Sequence, residues 1–253
     1  MRNVRIRVAY DGSRFFGWQR QDGFDSVQQA LEEALSALCG SALSVHGAGR
    51  TDTGVHALGQ VAHFHVETRL EDERLLHALN AHLPPGVVVQ DLETCPDGFH
   101  ARFDARSKRY LYRVVTGRFR PPHGAELALW VPHELDLAAM RAAGSALVGR
   151  HDFKAFSSTG SPRASTVREV QGLHFRAHRR GLSFVVQADG FLYNMVRAIA
   201  GTLIDVGRGR LDPGVVARAL ASGRRDEAGP TAPARGLYLL SVQYDVAVFG
   251  RDA

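Results

Sequence analysis

The chain has 253 residues, of which 45% are hydrophobic, so it is long and apolar enough for one large or two smaller folded domains and is not a disordered chain. Its two cysteines, Cys39 and Cys95, lie far apart without a Cys-x-x-Cys pair, which argues against a disulfide framework or a zinc ribbon and predicts a reducing cytoplasm. No stretch approaches the roughly 18 apolar residues of a membrane span, and the net charge of +5 favours an anionic partner.

The first half of the sequence predicts the order β-α-β-β-α-β. Alternating apolar residues from Val4 to Tyr10 indicate a half-buried strand. A helix follows, with Ser26 and Gln29 as a capping box and Gly40 as its C-terminal cap. The remaining elements of this half are predicted as strands at about 42–48 and 60–66, a helix at about 71–83 and a strand that begins at Val87. This is the order of a ferredoxin-like unit with an antiparallel sheet.

The second half of the sequence repeats that order. It predicts a strand at 107–116, a helix at 136–148, strands at 166–178 and 181–189, helices at 192–206 and 213–222, and a strand at 236–246. We therefore expect an α+β fold with two ferredoxin-like halves, 1–105 and 106–253, antiparallel sheets and an active-site cleft between the halves, where ligand sites are common.

The loop between the two predicted strands that follow the first helix is the strongest candidate for a reactive site, because such loops often carry chemistry. It contains Asp52 between Arg50 and His56 in a run of small residues. An aspartate with its ordinary pKa of about 3.9 is ionised at neutral pH, and nearby cations favour the charged form. An ionised aspartate suits a nucleophile or a base better than a general acid. A turn-capping aspartate beside Thr53-Gly54 is the alternative interpretation.

Two other kinds of site are conceivable near this loop. The run 47–49 (Gly-Ala-Gly) resembles a phosphate-binding loop but lacks the Gly-Lys-Ser/Thr ending. His63 and His65 share one strand face and could bind a metal with Asp52 or His56, although imidazoles on a strand are more often structural or face RNA. Nothing in the sequence demands a metal or a cofactor.

Aromatic, amide and arginine side chains alternate in the segment 10–21, which includes Arg14, Trp18 and Gln19. Such a mixture offers π faces to bases and cations to phosphates, as nucleic-acid surfaces require. A packed aromatic loop is the alternative interpretation.

Two further residues in the second half are candidates. Tyr110 shares a strand face with Tyr112, which makes either a stacking platform or ordinary sheet packing. Arg197 lies on an otherwise apolar helix, so it either pairs with a buried carboxylate, for which Asp52 is a candidate, or is exposed.

Six segments, in this order along the chain, resemble the TruA-type tRNA pseudouridine synthases. They are 10–21, 47–60, 99–103 (Phe-His-Ala-Arg-Phe), 109–113 (Arg-Tyr-Leu-Tyr-Arg), 191–197 with 201–203, and 233–239. The Gly-Arg-Thr-Asp run that ends at Asp52, followed by Val55-His56-Ala57, is the most diagnostic. Two positions depart from the family pattern: Thr53 stands where alanine is frequent, and the segment 156–162 lacks a cysteine often found there.

The resemblance implies an isomerase that converts uridine to pseudouridine at positions 38, 39 and 40 of the tRNA anticodon stem-loop. It implies no cofactor, no metal, a cytoplasmic location and a homodimer whose subunits share the tRNA. Asp52 would be the nucleophile, and the sequence leaves open whether it attacks C1′ or C6 or acts through a glycal. A tRNA-binding chaperone on the same fold is the alternative function.

The resemblance also implies roles for other residues. Arg50 would pair with Asp52 and help to occupy the place of the flipped nucleotide. Tyr110 would stack on the extruded base and could take part in removing its C5 proton, with Arg197 as a supporting ion partner. The matched segments supply these substrate-binding candidates: Tyr110, Arg14, Trp18, Gln19, His56, Arg109 and Asn194.

Overall fold

The computed structural model describes residues 1–158 and 165–250, so residues 159–162 of the segment without the family's cysteine lie outside the described part. The described residues form ten β-strands and five α-helices. The strands are β1 (Arg2–Tyr10), β2 (His46–Gly47), β3 (His56–Val66), β4 (Val87–Cys95), β5 (Ala105–Thr116), β6 (Leu129–Val131), β7 (Gly149–Asp152), β8 (Val167–His178), β9 (Gly181–Ala188) and β10 (Leu237–Tyr244). The helices are α1 (Val27–Cys39), α2 (Asp72–His82), α3 (Leu137–Ser145), α4 (Met195–Gly207) and α5 (Val215–Ser222). Strand pairing is mostly antiparallel, so the predicted α+β class is confirmed.

The chain divides into two compact units. The first contains Met1–Ser107 and the C-terminal segment that begins at Tyr238, and the second contains Lys108–Leu237. No helix in the described part of the chain is long and apolar enough to cross a membrane.

In the first unit, β1 is the centre of the sheet and pairs antiparallel with both β3 and β4. The other edge of β3 pairs with β2 at one end and, in parallel, with β10 at the other, where His56 and Ala57 lie opposite Tyr238 and Leu239. The sheet therefore fixes both the loop before β3 and the first residues of that strand.

The predicted half-buried pattern holds from Ile6 to Tyr10 but fails at the start of β1, where both faces are covered. Val4, Ile6 and Val8 are fully buried, and Asn3 and Arg5 on the alternate positions are buried as well. The Asn3 side chain donates to the Phe99 carbonyl at 2.9 Å. Arg5 donates to Glu93 at 2.6 Å and to the Ala247 carbonyl at 3.2 Å. Polar residues on β1 are thus buried because they tie down the segments that cross the second face.

The helix α1 has the predicted ends. The Ser26 side chain accepts a hydrogen bond from the Gln29 N–H at 3.2 Å, and Gly40 ends the helix at a φ of 70°. The Gln29 side chain donates to Glu33 instead of returning to Ser26, so one half of the capping box is formed.

The predicted strand at 42–48 was wrong in its extent, because only His46–Gly47 forms a strand. The backbone of Val45 bonds to side chains of α1 instead of to a neighbouring strand: its N–H donates to Glu32 at 3.1 Å, and its carbonyl accepts from Gln28 at 3.0 Å. These side-chain hydrogen bonds satisfy the backbone groups that a sheet ladder would otherwise need.

The second unit contains a sheet in the order β5-β9-β8-β7, with antiparallel pairing throughout, and β6 lies parallel to β5. Tyr110, Tyr112 and Val114 are buried on one face of β5, whereas Arg113 is exposed on the other. The short strands β6 and β7 were not predicted. Helix α3 ends at Ser145, before the predicted 148, and Gly149 is the first residue of β7.

Candidate active site

The loop that carries Asp52 is held at the residues on both sides of Arg50. The Gln60 side chain, which is fully buried on β3, donates to the Gly49 carbonyl at 2.7 Å. The Thr51 carbonyl accepts from the Trp18 N–H at 3.0 Å. Arg50 itself is exposed, so the loop fixes its backbone while its side chain faces solvent.

A buried hydroxyl pair fixes the side chain immediately before Asp52. The Tyr10 hydroxyl lies 2.7 Å from Thr51 Oγ1, and both residues are buried. Burial raises the pKa of Tyr10 above its ordinary value, more than the hydrogen bonds from Thr51 and Gln60 lower it. The Tyr10 hydroxyl is therefore protonated at neutral pH and joins β1, β3 and the loop.

Asp52 occupies the first position of a tight turn. Its carbonyl accepts from the Val55 N–H at 3.1 Å, and Gly54 within the turn has a φ of 79°. Its side chain is half-buried. The turn explains why the residue two positions after Asp52 is glycine, since only glycine adopts such a φ without strain.

His56, the first residue of β3, is directed toward the start of the segment 10–21. Its Nδ1 accepts a hydrogen bond from the Gly12 N–H at 3.1 Å, and the same atom lies 3.2 Å from Asp11 Oδ1. The contact with Asp11 would be an ion pair only if Nδ1 were protonated, whereas a backbone N–H can only donate. Nδ1 is therefore the acceptor in the contact with Gly12.

The His56 ring is 1% exposed and stacks on Tyr238 of β10 with 4.6 Å between ring centroids. The sequence suggested this histidine for substrate binding. In the structure its described contacts join β3, β10 and the segment 10–21.

Trp18 is a packing residue in this structure. Its ring is 2% exposed, lies 6.1 Å from the Tyr10 ring, and covers Gly47 so closely that an added Cβ there would lie 2.6 Å from the indole. Of the other two candidates in this segment, Arg14 is exposed and Gln19 is half-buried. Arg14 Nε lies 3.6 Å from Asp11 Oδ2.

Asp11 is the carboxylate of the segment 10–21, and it lies close to both His56 and Arg14. Partial burial would raise its pKa, but the two hydrogen bonds from Ser13, followed by the electrostatic effects of His56 and Arg14, hold the pKa below its ordinary value. Asp11 is therefore ionised at neutral pH and keeps the turn at Gly12–Arg14 capped.

In the second unit, Tyr110 lies on the buried face of β5. It is 8% exposed, and its ring meets Phe191 edge to face with 4.9 Å between centroids. On the opposite face of the strand, Arg109 is half-buried and pairs in register with Gln187 of β9.

Arg197 on α4 is oriented by several hydrogen bonds. Its Nε donates to the Ala232 carbonyl at 2.8 Å, and its NH1 donates to Asn194 Oδ1 at 2.8 Å. The Asn194 amide donates in turn to Ser158 Oγ at 3.0 Å. Asn194 has a φ of 60°, a left-handed conformation that is uncommon outside glycine. The N-terminus of α4 thus presents a guanidinium held from two sides.

The histidines considered as metal ligands belong to a larger cluster in the first unit. His63 lies 5.2 Å from His46, 4.5 Å from His100 and 6.2 Å from His65, measured between ring centroids. His63 Nδ1 accepts from the Ala101 N–H at 3.2 Å. Within residues 1–158 and 165–250, no group of three or more His, Cys, Asp or Glu residues is arranged to hold a metal ion.

Comparison with known proteins identifies the family. The family model described as tRNA pseudouridine synthase matches residues 6–104 and 143–245. The chain belongs to the tRNA pseudouridine synthase family.

Several members of this family are similar over almost their whole length. The tRNA pseudouridine synthase A of Thermoanaerobacter sp. (strain X514) is 42% identical over 244 residues, which cover 96% of this chain and 100% of the relative. The protein of that name from Syntrophotalea carbinolica is 44% identical over 241 residues, covering 95% of this chain and 96% of the relative. The one from Acetivibrio thermocellus is 40% identical over 244 residues, covering 96% and 100%. The family resemblance inferred from the sequence is confirmed.

The predicted site residues fall into two groups, one in each unit. Arg14, Trp18, Gln19, Arg50, Asp52 and His56 belong to the first unit, and Arg109, Tyr110, Asn194 and Arg197 belong to the second. Their roles remain predictions.

Sequence reasoning missed the residues that support these groups. Tyr10, Thr51 and Gln60 hold the loop around Arg50, and Ser158 holds Asn194. The signal for Gln60 was available in principle, since an amide among apolar residues on a buried strand needs a hydrogen-bond partner.

Proposed function

We propose that the protein is a tRNA pseudouridine synthase that isomerises uridine to pseudouridine at positions 38, 39 and 40 of the anticodon stem-loop, without a cofactor. The carrying observation is near-full-length similarity to proteins named tRNA pseudouridine synthase A, combined with the anchored Gly-Arg-Thr-Asp loop. We further propose that it acts as a homodimer in the cytoplasm and that its halves, 1–105 and 106–253, are ferredoxin-like. The order β4-β1-β3 with β2 at the far edge of β3 supports the last point for the first half.

In the proposed reaction the bond between N1 of uracil and C1′ of ribose breaks, and a new bond forms between C5 and C1′. The proton on C5 leaves and N1 gains one, so no oxidant or reductant is consumed. Asp52 serves as the nucleophile, at C1′ or C6 or through a glycal. Its place beside Thr51, whose side chain and carbonyl are both bonded, supports this role, because a nucleophile acts best when its geometry is fixed beforehand.

The other proposed roles follow the same residues. Arg50, exposed beside an anchored backbone, helps to occupy the place of the extruded nucleotide. Tyr110 stacks on the extruded base, and such stacking offsets about 1–3 kcal/mol of the cost of unstacking. Arg197 provides a fixed cation, and the hydrogen bonds from its guanidinium to Ala232 and Asn194 support that role.

The remaining substrate-binding candidates differ in how exposed their side chains are. Arg14 and Gln19 are accessible enough to contact RNA, and Arg109 lies at a half-buried position on β5. Trp18 and His56 are buried, and we propose that they act by supporting the loop instead of touching the nucleotide.

The nucleophile is tested by tritium release from tRNA labelled at C5 of uridine. Wild-type protein should release tritium, and Asp52→Asn, which keeps the size of the side chain but removes its charge, should release none above background. Asp22→Asn, at an exposed position in the same unit, is the control and should match wild type.

Each other outcome has a definite meaning. Equal release by Asp52→Asn and wild type would refute the nucleophile assignment. No release by wild type that nevertheless binds tRNA would favour the chaperone alternative. Mapping of pseudouridine in the product tests positions 38–40 directly.

The Tyr110 hydroxyl is tested separately. Tyr110→Phe keeps the ring that stacks and the edge-to-face contact with Phe191. If the hydroxyl takes part in removing the C5 proton, turnover should fall while the affinity for tRNA stays the same. Unchanged turnover would leave Tyr110 a stacking residue only.

A further inference from the structure

A basic surface lies at one end of the sheet in the second unit, and its first residue follows Tyr110 by eight positions along the chain. We call it the basic end and define it as Arg118, Phe119, Arg120, Arg179 and Arg180. The first three residues follow β5, and the last two form the turn between β8 and β9. All five are exposed.

Backbone contacts bring the two segments of the basic end together. The Thr116 N–H, at the end of β5, lies within 3.4 Å of the Arg180 carbonyl. The next residue, Gly117, donates its N–H to Val131 at 3.2 Å and accepts at its carbonyl from the Trp130 indole N–H at 2.9 Å. The loop that carries Arg118 to Arg120 is therefore fixed at its base, where it leaves the sheet.

The side chains of the basic end combine a flat aromatic face with cations. Phe119 is 76% exposed, and the Arg118 guanidinium lies 5.1 Å from the centroid of its ring. A nucleic-acid base that stacks on an aromatic ring beside an arginine gains binding energy from both side chains. Any of the bases can stack in this way, because each has a π face.

The segments that form the basic end carry positive charge, and the nearest acidic residue along the chain after Arg120 is Glu126. The segments 117–125 and 171–188, which contain the basic end and its flanks, include no aspartate or glutamate. Four arginines without neighbouring carboxylates in their own segments favour a polyanion. A symmetric contact with a second copy of the chain would place the same cations against each other, which is unfavourable.

We propose that the basic end binds tRNA outside the catalytic residues, with its arginines on backbone phosphates and Phe119 stacked on an unpaired base. The identity of the RNA as tRNA rests on the proposed function. The surface itself rests on the exposure, charge and contacts of these five residues.

The test measures tRNA binding by the full chain over a series of salt concentrations. In wild type, the logarithm of the affinity should fall steeply as the logarithm of the salt concentration rises. In the double variant Arg118→Gln with Arg120→Gln, the magnitude of this slope should be smaller by about 2, since each lost phosphate contact reduces it by about 1. Phe119→Ala should lower the affinity by about tenfold or more with little change in slope. Arg118→Lys should keep the salt slope, and Arg141→Gln, an exposed position on α3, should match wild type in both properties.

Kinetics separate this surface from catalysis. The variants should raise KM for whole tRNA and leave kcat unchanged. Wild-type salt slope and affinity in both the double arginine variant and Phe119→Ala would overturn the proposal. A changed oligomeric state in sedimentation with unaltered tRNA affinity would also overturn it, in favour of a second copy.

The result does not depend on the proposed reaction. If wild type binds tRNA through the basic end but releases no tritium from C5-labelled tRNA, the proposed function fails and the binding surface stands. If tritium is released and the variants bind like wild type, the surface fails and the function stands.

Discussion

The Tyr10 hydroxyl lies 2.7 Å from Thr51 Oγ1 in a buried position. Thr51 directly precedes Asp52 in the chain. Tyr10 is the last residue of β1, and Thr51 belongs to the loop before β3. This contact ties the proposed nucleophile's neighbour to the centre of the sheet. The loop is therefore anchored to the strand beside Asp52, and a positioned carboxylate requires such support.

Tyr10→Phe and Thr51→Val test this contact as a double-mutant cycle. Each single change leaves one buried hydroxyl without its present partner, so each should lower the free energy of unfolding by about 1–2 kcal/mol. The double variant replaces both groups with apolar ones and should cost less than the sum of the two. Urea denaturation gives the free energies, and tritium release should fall in both single variants. Strictly additive free energies would show that the two hydroxyls do not interact.

Gly12 is a second constraint on the same region. It is buried, its N–H donates to His56, and an added Cβ would clash with the Val55 carbonyl at the end of the Asp52 loop. Gly12→Ala should therefore destabilise the protein by about 1–3 kcal/mol and displace the loop. Gly98→Ala is the matched control, because a Cβ there meets nothing within 4 Å. Denaturation midpoints and tritium release measure both effects, and equal behaviour of the two variants would contradict the assigned clash.

Much of the fold could be predicted because the helices and long strands follow local rules. The apolar stripe and the caps of α1 are written in adjacent residues, and its ends agree with the prediction. The short strands could not be predicted in this way. The segment before β2 is apolar enough for a strand. However, the backbone of Val45 in this segment forms hydrogen bonds with the side chains of Glu32 and Gln28 on α1. A local sequence pattern cannot predict contacts between residues so far apart along the chain.

The candidate site also combines features that the sequence could predict with features that it could not. Asp52 could be chosen from its neighbours and from the family resemblance. The sequence could not tell which aromatic residues are accessible, since Trp18 and Phe119 are both aromatic residues beside arginine or glutamine. Trp18 is buried against Gly47, whereas Phe119 is exposed, and only tertiary packing separates them.

Asn194 is predicted to act by positioning Arg197, not by touching substrate. Its Oδ1 holds the guanidinium, its amide is fixed by Ser158, and its φ of 60° costs an ordinary side chain about 1–2 kcal/mol. Asn194→Gly accepts this backbone conformation and loses both side-chain contacts. It should lower kcat while KM for tRNA stays the same.

Two further variants separate the side chain from the backbone. Asn194→Asp keeps an acceptor for Arg197 and should restore much of kcat. Asn194→Ala should lower kcat as glycine does and also lower the free energy of unfolding, because it adds strain. A raised KM in the glycine variant would instead support the substrate-binding role suggested by the sequence, and wild-type kcat there would leave Asn194 with a backbone role alone.

His63 makes the stability of the first unit depend on pH. Burial, and then the positive charges of His100 and His46, lower the pKa of His63 to about 4. Its Nδ1 accepts from the Ala101 N–H, and protonation of that nitrogen would remove the acceptor. The folded protein therefore favours neutral His63.

The direction of the pH effect follows from the two pKa values. In the unfolded chain the pKa of histidine is about 6.5, so between pH 6.5 and about 4 the unfolded state binds more protons than the folded state. The contribution of His63 is present in full above pH 6.5 and is lost as the pH falls toward 4, to a total of about 3 kcal/mol.

His63→Asn keeps a side-chain acceptor for Ala101 but removes the titrating group. Urea denaturation at a series of pH values between 7.5 and 4.5 should therefore show a shallower loss of stability in this variant than in wild type. His133→Asn, at an exposed position, should follow the wild-type profile. If His63→Asn loses stability as steeply as wild type over this range, the acid sensitivity comes from other groups and the neutral state of His63 does not contribute to it.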